Sequence, residues 1–441
     1  SARPARGAYT LGHLPRLELL LQILQSEIQR TNGCTDPGSV CYAVAYATDV
    51  LQLPPEQVEV TTSANLFKNA IGVGVPGSGM HGMGIAAALG AVIPHPEARL
   101  AILDHITPDS LAAARALLDA GRVKVEYTQA AGALYIQARV AAGGHSAEVT
   151  IAGDYDCVTR VCADGRVIYQ APQVENAGNA ARIQQFDLAE IYALLASCDP
   201  ARLEFLLEAA GTNRQAAHTA LGQDDITYRK VYNSIPPAAG APLAWMAQAQ
   251  RWTGAACEGR MGGLAMPVMA LGGSGNQGIT AFLGLLALAE QIQAPGEQTA
   301  RALAFTAAVS LYVKSYMDRL NALCGSALAV GPGVAAGAVL LLGGSFEQAG
   351  GAVRSVIAAL NGVLCEGASL LCPYKVSAAA GLALQAAYLA LQGVSAPAGH
   401  GVIAESLEET FAHLGRINRA LAQADQTILS ILEERAVRVQ V

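Results

Sequence analysis

The stretch Tyr135-Ile136-Gln137-Ala138-Arg139-Val140-Ala141-Ala142-Gly143-Gly144-His145-Ser146-Ala147-Glu148-Val149-Thr150-Ile151 decides the fold. Ile136, Ala138 and Val140 alternate with their neighbours, and so do Ala147, Val149 and Ile151, which is the period of strands with one buried face. Gly143-Gly144 lies between them, where a tight hairpin requires positive φ. The same period occurs upstream at Val123, Val125 and Tyr127, and Asp164-Gly165 marks a second hairpin downstream. Thr107-Pro108 starts a helix that Gly121 ends. Residues 99–174 therefore read as a small α+β domain carrying an antiparallel sheet.

On both sides of this block the pattern is helical. Residues 16–30 carry Leu17, Leu20, Leu21, Leu24 and Ile28 at helical spacing, a second helix is predicted over 37–51, and helices dominate after Asp187. The expected class is α+β: a mainly helical catalytic domain built from both chain ends, residues 1–98 and 175–441, interrupted by the insert at 99–174.

With 52% hydrophobic and only 14% charged residues over 441 positions, the chain can bury a large core and has little material for a solvated tail. A net charge of -7 without a run of lysines or arginines excludes a phosphate-backbone or polybasic-membrane function, so the expected partner is small and not a nucleic acid. The runs 261–289 and 320–346 contain no charged residue and exceed the length of a bilayer span. Their Gly, Ala, Ser, Asn and Gln content and the lack of flanking aromatic belts point instead to buried helices, and no membrane partner is expected. Residues 1–13 lack an apolar signal core, so a cytoplasmic location is expected, where nine cysteines are thiols or ligands rather than disulfides. The apolar runs can also cover a subunit face, and a homo-oligomer is expected.

Cys324, Cys365 and Cys372 each stand in a Gly- or Pro-punctuated break of an apolar region, as metal ligands do. The six residues between Cys365 and Cys372 are not a zinc-ribbon spacing, and no histidine is near. Spacing alone leaves two readings open, buried apolar cysteine or ligand, and the former fits Cys41, Cys157, Cys162, Cys198 and Cys257. Pro373 follows Cys372 at the start of a helix much as Pro37 follows Cys34 in Gly33-Cys34-Thr35-Asp36-Pro37. A thiol at a helix start is where amides and the helix dipole lower a cysteine pKa, so Cys34 is expected to be an activated thiolate. Together the four suggest an iron-sulfur enzyme.

Glycine-dense segments flank these positions. Asn65-Leu66-Phe67-Lys68-Asn69 leads into Gly72, Gly74, Gly77 and Gly79, an arrangement suited to backbone approach to an anion with Lys68 supplying charge. Gly72-Val73-Gly74-Val75-Pro76-Gly77 matches a dinucleotide fingerprint, but Pro76 sits where the helix should begin and the match reads as accidental. Gly273-Ser274-Gly275-Asn276-Gln277-Gly278 precedes an apolar helix, so its amides and side chains suit a carboxylate. Among the histidines only His81, between glycine turns, is a catalytic candidate.

These runs, with Arg260-Met261-Gly262-Gly263, Arg319-Leu320-Asn321-Ala322-Leu323-Cys324 and Cys372-Pro373-Tyr374-Lys375-Val376-Ser377, make the chain resemble the L-cysteine desulfidase family, which is related to the α chain of iron-sulfur-dependent L-serine dehydratases. The resemblance implies a 4Fe-4S cluster held by Cys324, Cys365 and Cys372 with one iron open to substrate, and Cys34 as a fourth, displaceable ligand or as the base that removes the α-proton. It implies a lyase of cysteine catabolism that acts on a small amino acid and releases sulfide, pyruvate and ammonia. Lys68 joins Cys34 as catalytic, and Asn65, Asn69, Ser274, Asn276, Gln277 and Arg319 are the expected substrate-binding residues. L-serine or a related amino acid as dehydratase substrate is the alternative, and a non-catalytic iron-sulfur or thiol sensor is a second.

Two departures bear on the substrate. The family pattern has Glu where Asp36 stands, and a Gly-His-Thr run where this chain has Asp154-Tyr155-Asp156, so Tyr155 takes the place of an imidazole. The last residues, Val439-Gln440-Val441, lack the C-terminal cysteine that serine dehydratases of this type use as a ligand, which favours the cysteine expectation.

Overall fold

The computed structural model describes residues 16–132, 134–171, 182–231, 242–317 and 322–439. The chain opens with α1 (Arg16–Glu27), whose Leu19, Leu20, Ile23 and Leu24 are buried, and passes into a short strand β1 (Ile28–Asn32). Helix α2 (Thr35–Leu51) follows, so Cys34 occupies a strand-helix corner rather than the corner between two helices that the leucine spacing predicts. Chain order continues through β2 (Gln57–Ser63), α3 (Ala64–Ala70), the two-residue strands β3 (Gly74–Val75) and β4 (Met80–His81), and α4 (Met83–Val92).

The alternating block forms as its pattern requires. Helix α5 (Pro108–Asp119) starts with a reciprocal capping box between Thr107 and Ser110 and stops at Gly121, where φ is +66°. Then come β5 (Val123–Thr128), β6 (Tyr135–Ala142), β7 (His145–Ala152), β8 (Val158–Ala163) and β9 (Arg166–Gln170). Gly143 and Gly144, and Asp164 and Gly165, all have positive φ at the two hairpins.

The sheet order is β5-β2-β6-β7-β8-β9, and this corrects the expectation in two respects. Strand β2 comes from before the insert yet sits inside the sheet, and it pairs parallel with β5 but antiparallel with β6, so the sheet is mixed. The crossover through α3, α4 and α5 brings β5 back beside β2 in the same direction. The core of this half runs from Val40 to Val161, with α2 and α4 packed on each other and α2 lying on β6 and β7. The core of this half therefore draws on residues from Val40 onward as well as on the block 99–174.

The helical half contains α6 (Leu188–Ser197), α7 (Glu204–Leu221), α8 (Pro242–Met261), β10 (Pro267–Leu271), α9 (Gly275–Gln291), α10 (Gly296–Lys314), α11 (Gly331–Leu341), α12 (Phe346–Leu360), α13 (Cys372–Leu391), α14 (Leu407–Ala420) and α15 (Ala422–Val439). Strand β10 pairs antiparallel with β1, which ties the chain's start to the helical core. Within the uncharged run, Ser326–Val330 form a π-helical turn that leads into α11. A Cβ at Gly333 or Gly337 would collide with Ser310 or Thr306 of α10, so glycine here permits close helix contact. Among the described residues no helix is long and apolar enough to cross a membrane.

Candidate active site

A cavity of about 110 Å³ lies where the two halves meet. Its wall includes Cys34, Thr35, Asp36 and Asn69 from the first part of the chain, and Tyr155 from the loop between β7 and β8. The helical half supplies Arg260, Ser274, Asn276, Gln277, Lys314 and the three cysteines Cys324, Cys365 and Cys372, with Glu366 and Lys375 beside them.

The three cysteines arrive on short, braced segments. Cys324 precedes the π turn, and its carbonyl accepts from Ala327 N at 3.1 Å and Leu328 N at 2.9 Å. Its own amide donates to Val363 O at 2.8 Å, while Cys365 N donates to Ala322 O at 2.7 Å, so a small two-strand ladder carries both residues. Cys372 is the first residue of α13, with Pro373 next, as Pro-initiated helices require. Its sulfur lies 3.5 Å from Ser369 N, which donates to it.

Burial pushes the Cys324 thiol up to about 12, with Cys365 adding to it, and pushes Cys372 up to about 11. Loss of water and the neighbouring Cys365 sulfur thus both oppose ionisation of Cys324 and Cys372, which a bound cation would favour. Among the described residues no three His, Cys, Asp or Glu side chains are placed to hold a single metal ion. A polynuclear cluster takes its thiolates on different irons and so needs them around its edges rather than converging on one point. The donor set, three thiols and no imidazole on one cavity wall, fits such a cluster. Cys257, fully buried in α8, lies beneath them and does not line the cavity.

Cys34 stands at the N-cap of α2, but it is not the activated thiolate that helix position predicts. It is 5% exposed, and burial, reinforced by the Asp36 carboxylate, raises its pKa above the ordinary thiol value. Desolvation outweighs the helix terminus. The thiol donates to Asp36 Oδ2 at 3.2 Å. Asp36 is itself buried, and loss of water raises its pKa, opposed by the Cys34 hydrogen bond and by Arg260.

Opposite lie two buried cations that no expectation singled out. Arg260, in the last turn of α8 and 2% exposed, donates from Nη2 to Gly33 O at 2.7 Å and from Nη1 to Asn276 Oδ1 at 2.9 Å. Its guanidinium lies flat against Gly275, where a Cβ would approach Cζ to 2.6 Å. Lys314, in the last turn of α10 and 5% exposed, donates to Gln277 Oε1 at 3.1 Å. Ser274 caps α9, its hydroxyl accepting from Gln277 N at 3.4 Å. Three atoms of this wall are buried without a hydrogen-bond partner: Arg260 Nε, Asp36 Oδ1 and Asn69 Oδ1. One is a donor on a cation and two are acceptors. The residues lining the cavity thus bring cationic donors, Arg260 and Lys314, together with the acceptors Asp36 and Asn69, a combination that suits a ligand with both an anionic and a donor-bearing end.

Of the expected residues, Cys34, Asn69, Ser274, Asn276, Gln277, Cys324, Cys365 and Cys372 come together here. Lys68 and Asn65 do not line the cavity: both sit on α3, and the Lys68 ammonium is turned away into a buried ion pair with Asp425 at 2.6 Å. Arg319 lies outside the described residues. His81 is exposed on β4 and does not line the cavity. Tyr155 does, so the segment Asp154-Tyr155-Asp156 reaches the site although it belongs to the sheet half. Lys314 carried one signal in the sequence, a single charge at the end of an otherwise uncharged helical stretch over 302–313.

Residues 97–430 match the family model described as serine dehydratase alpha chain. The chain is 40% identical over 415 residues to a UPF0597 protein of Methanocella arvoryzae, covering 94% of this chain and 98% of that protein. It is 33% identical over 429 residues to a UPF0597 protein of Oleidesulfovibrio alaskensis, covering 95% and 98%. A Clostridium perfringens UPF0597 protein is 32% identical over 426 residues, covering 95% and 98%. That family is one of iron-sulfur-dependent lyases, and the protein with this cavity belongs to the serine dehydratase alpha chain family.

Proposed function

We propose that the protein is an iron-sulfur lyase that eliminates sulfide from L-cysteine to give pyruvate, ammonia and sulfide. The observation that carries the reading is the set of residues that line one cavity: the Arg260 and Lys314 cations for a carboxylate, and the Asp36 and Asn69 side chains for an ammonium, with a thiol wall beside them. This pairing matches an amino-acid zwitterion.

In this reading Cys324, Cys365 and Cys372 hold the cluster. When bound, it supplies Lewis acidity towards the departing sulfur. Arg260 and Lys314 take the substrate carboxylate, and the Ser274 to Gln277 turn fixes its orientation. Asp36 and Asn69 accept from the amino group. The Cys34 sulfur takes the proton from the substrate Cα, having passed its own proton to the Asp36 oxygen it already contacts at 3.2 Å. Loss of the α-proton and of sulfide leaves aminoacrylate, which water converts to pyruvate and ammonia. The low exposure of Cys34, Arg260 and Lys314 keeps the developing charge away from solvent, where fixed donors act most strongly.

L-serine is the second reading, favoured by the family-model match. Thiolate is a softer donor than hydroxyl and suits iron better in a thiolate-ligated site. Reconstitution with iron and sulfide in the absence of oxygen, followed by pyruvate measurement from L-cysteine and L-serine side by side, decides between them. Pyruvate from cysteine with equimolar sulfide is the expected result. Pyruvate chiefly from serine overturns the cysteine assignment, and none from either, with iron bound, overturns both.

A further inference from the structure

Lys68 is 2% exposed and does not face the cavity, so its desolvation must be offset by something other than substrate. Its ammonium donates to two groups. One is Asp425 Oδ1, at 2.6 Å, on α15; the other is the backbone carbonyl of Cys365, at 3.0 Å. The loop after Cys365 is seated on the same helix α3: Ala368 N donates to Asn69 O at 3.2 Å, and Gly367, at φ +94°, passes so close to the Lys68 carbonyl that a Cβ there would collide with it.

The other strand of the ladder is held from the preceding helix. Asn418 of α14 is 4% exposed, and its Oδ1 accepts from Ala322 N at 3.1 Å and Leu323 N at 3.2 Å, immediately before Cys324. Neither α14 nor α15 contributes a residue to the cavity wall. Each nevertheless ends a hydrogen-bond path on the backbone of a cavity cysteine or of the residue next to it.

We infer that the C-terminal helix pair is a clamp that sets the two cysteine-bearing strands at the spacing the cluster requires, with Lys68, Asp425 and Asn418 as positioning residues. The inference rests on reading Cys324 and Cys365 as cluster ligands. Lysine suits the task because its ammonium satisfies a carboxylate and a neutral carbonyl at once, and aspartate keeps that charge in place away from water. Methionine at position 68 keeps the stem and removes both hydrogen bonds. A buried ion pair is often replaceable by apolar residues without loss of stability, which separates holding the loop from holding the fold.

The test uses the full chain and the variants Lys68→Met, Asp425→Asn, Asn418→Ala and the double variant Lys68→Met/Asp425→Leu. In metal-free, reduced protein, the rate at which a thiol reagent modifies each cysteine is resolved by peptide mass spectrometry. After reconstitution, iron content and the rate of iron loss to a chelator are measured, with Tm recorded in parallel. The expected result is modification of Cys365 accelerated about tenfold by Lys68→Met and Asp425→Asn, the loss of a charged hydrogen bond, with Cys34 unchanged within about twofold. Asn418→Ala accelerates Cys324 instead, and all three lose iron faster. The double variant is expected to recover the wild-type Tm but not the slow rates. Wild-type Cys365 reactivity and iron retention in the double variant would overturn the clamp. A wild-type protein that takes up no iron refutes the ligand reading on which the clamp rests, and the metal-free rates still show separately whether Lys68 and Asp425 hold the loop.

Discussion

The two sides of the cavity solve opposite electrostatic problems. The cysteine side presents three thiols, of which Cys324 and Cys372 have their pKa values raised chiefly by loss of water, and it is held together by backbone hydrogen bonds and by groups reaching in from outside. The opposite side presents two buried cations, Arg260 and Lys314, fastened by side chains to the Gly33-Cys34 corner and to the start of α9. The first side is dominated by thiols, with the Lys375–Glu366 pair beside them; the second is dominated by cationic side chains. Under the proposed function, the contrast means that cofactor and substrate recognition are separable, because each would be carried by different elements of the fold.

The largest effects should break that separation or prove it. Cys372→Ala is expected to abolish cluster absorbance and turnover together, whereas Cys34→Ala keeps the absorbance and loses turnover about 10²- to 10⁴-fold, the contribution of a positioned base. Iron analysis and pyruvate assay on both variants check this, and equal iron loss in the two would make Cys34 a ligand rather than a base. Next, Arg260→Gln should lower kcat/KM about 100-fold by removing a charged hydrogen-bonding group while iron content stays at the wild-type level. An Arg260 variant that loses iron instead would merge the two sides. The smallest effect concerns support: Gly367→Ala, at a φ that favours glycine and against the Lys68 carbonyl, should cost about 2 kcal/mol in denaturant unfolding. No change in the midpoint would mean the loop is not seated on α3 as described.

Much of the fold was legible because period and punctuation are local. The alternation at 136–140 and 147–151 and the paired positive-φ residues at both hairpins specify strands and turns without reference to the rest of the chain. Strand β2 was harder to see. Val58, Val60 and Thr62 have the buried alternation, but a seven-residue strand followed at once by a helix and a glycine-dense segment has no hairpin partner nearby to reveal it. Its partners are β6 and, in parallel, β5, both far along the chain.

The cavity shows the same division. Residues that occupy glycine- or proline-punctuated turns, such as Cys34, Ser274 and Cys372, were readable because those turns bring a side chain to a helix start. Lys68 sits in equally suggestive sequence, yet its side chain is taken by Asp425, 357 positions later. Arg260 and Lys314 sit in the last turns of helices whose neighbouring residues are largely core, and only their orientation makes them part of the site.

By itself, then, the sequence determined the element types, most turns, the cysteine positions and the family resemblance, because each depends on short-range stereochemistry or on residue identity. Tertiary structure alone decided that β2 joins the sheet, that Cys34 is a buried thiol instead of an activated thiolate, and which cations face the cavity. The physical reason is that desolvation and charge pairing depend on what lies within a few ångströms in space, and in this chain those neighbours come from both ends and from both halves.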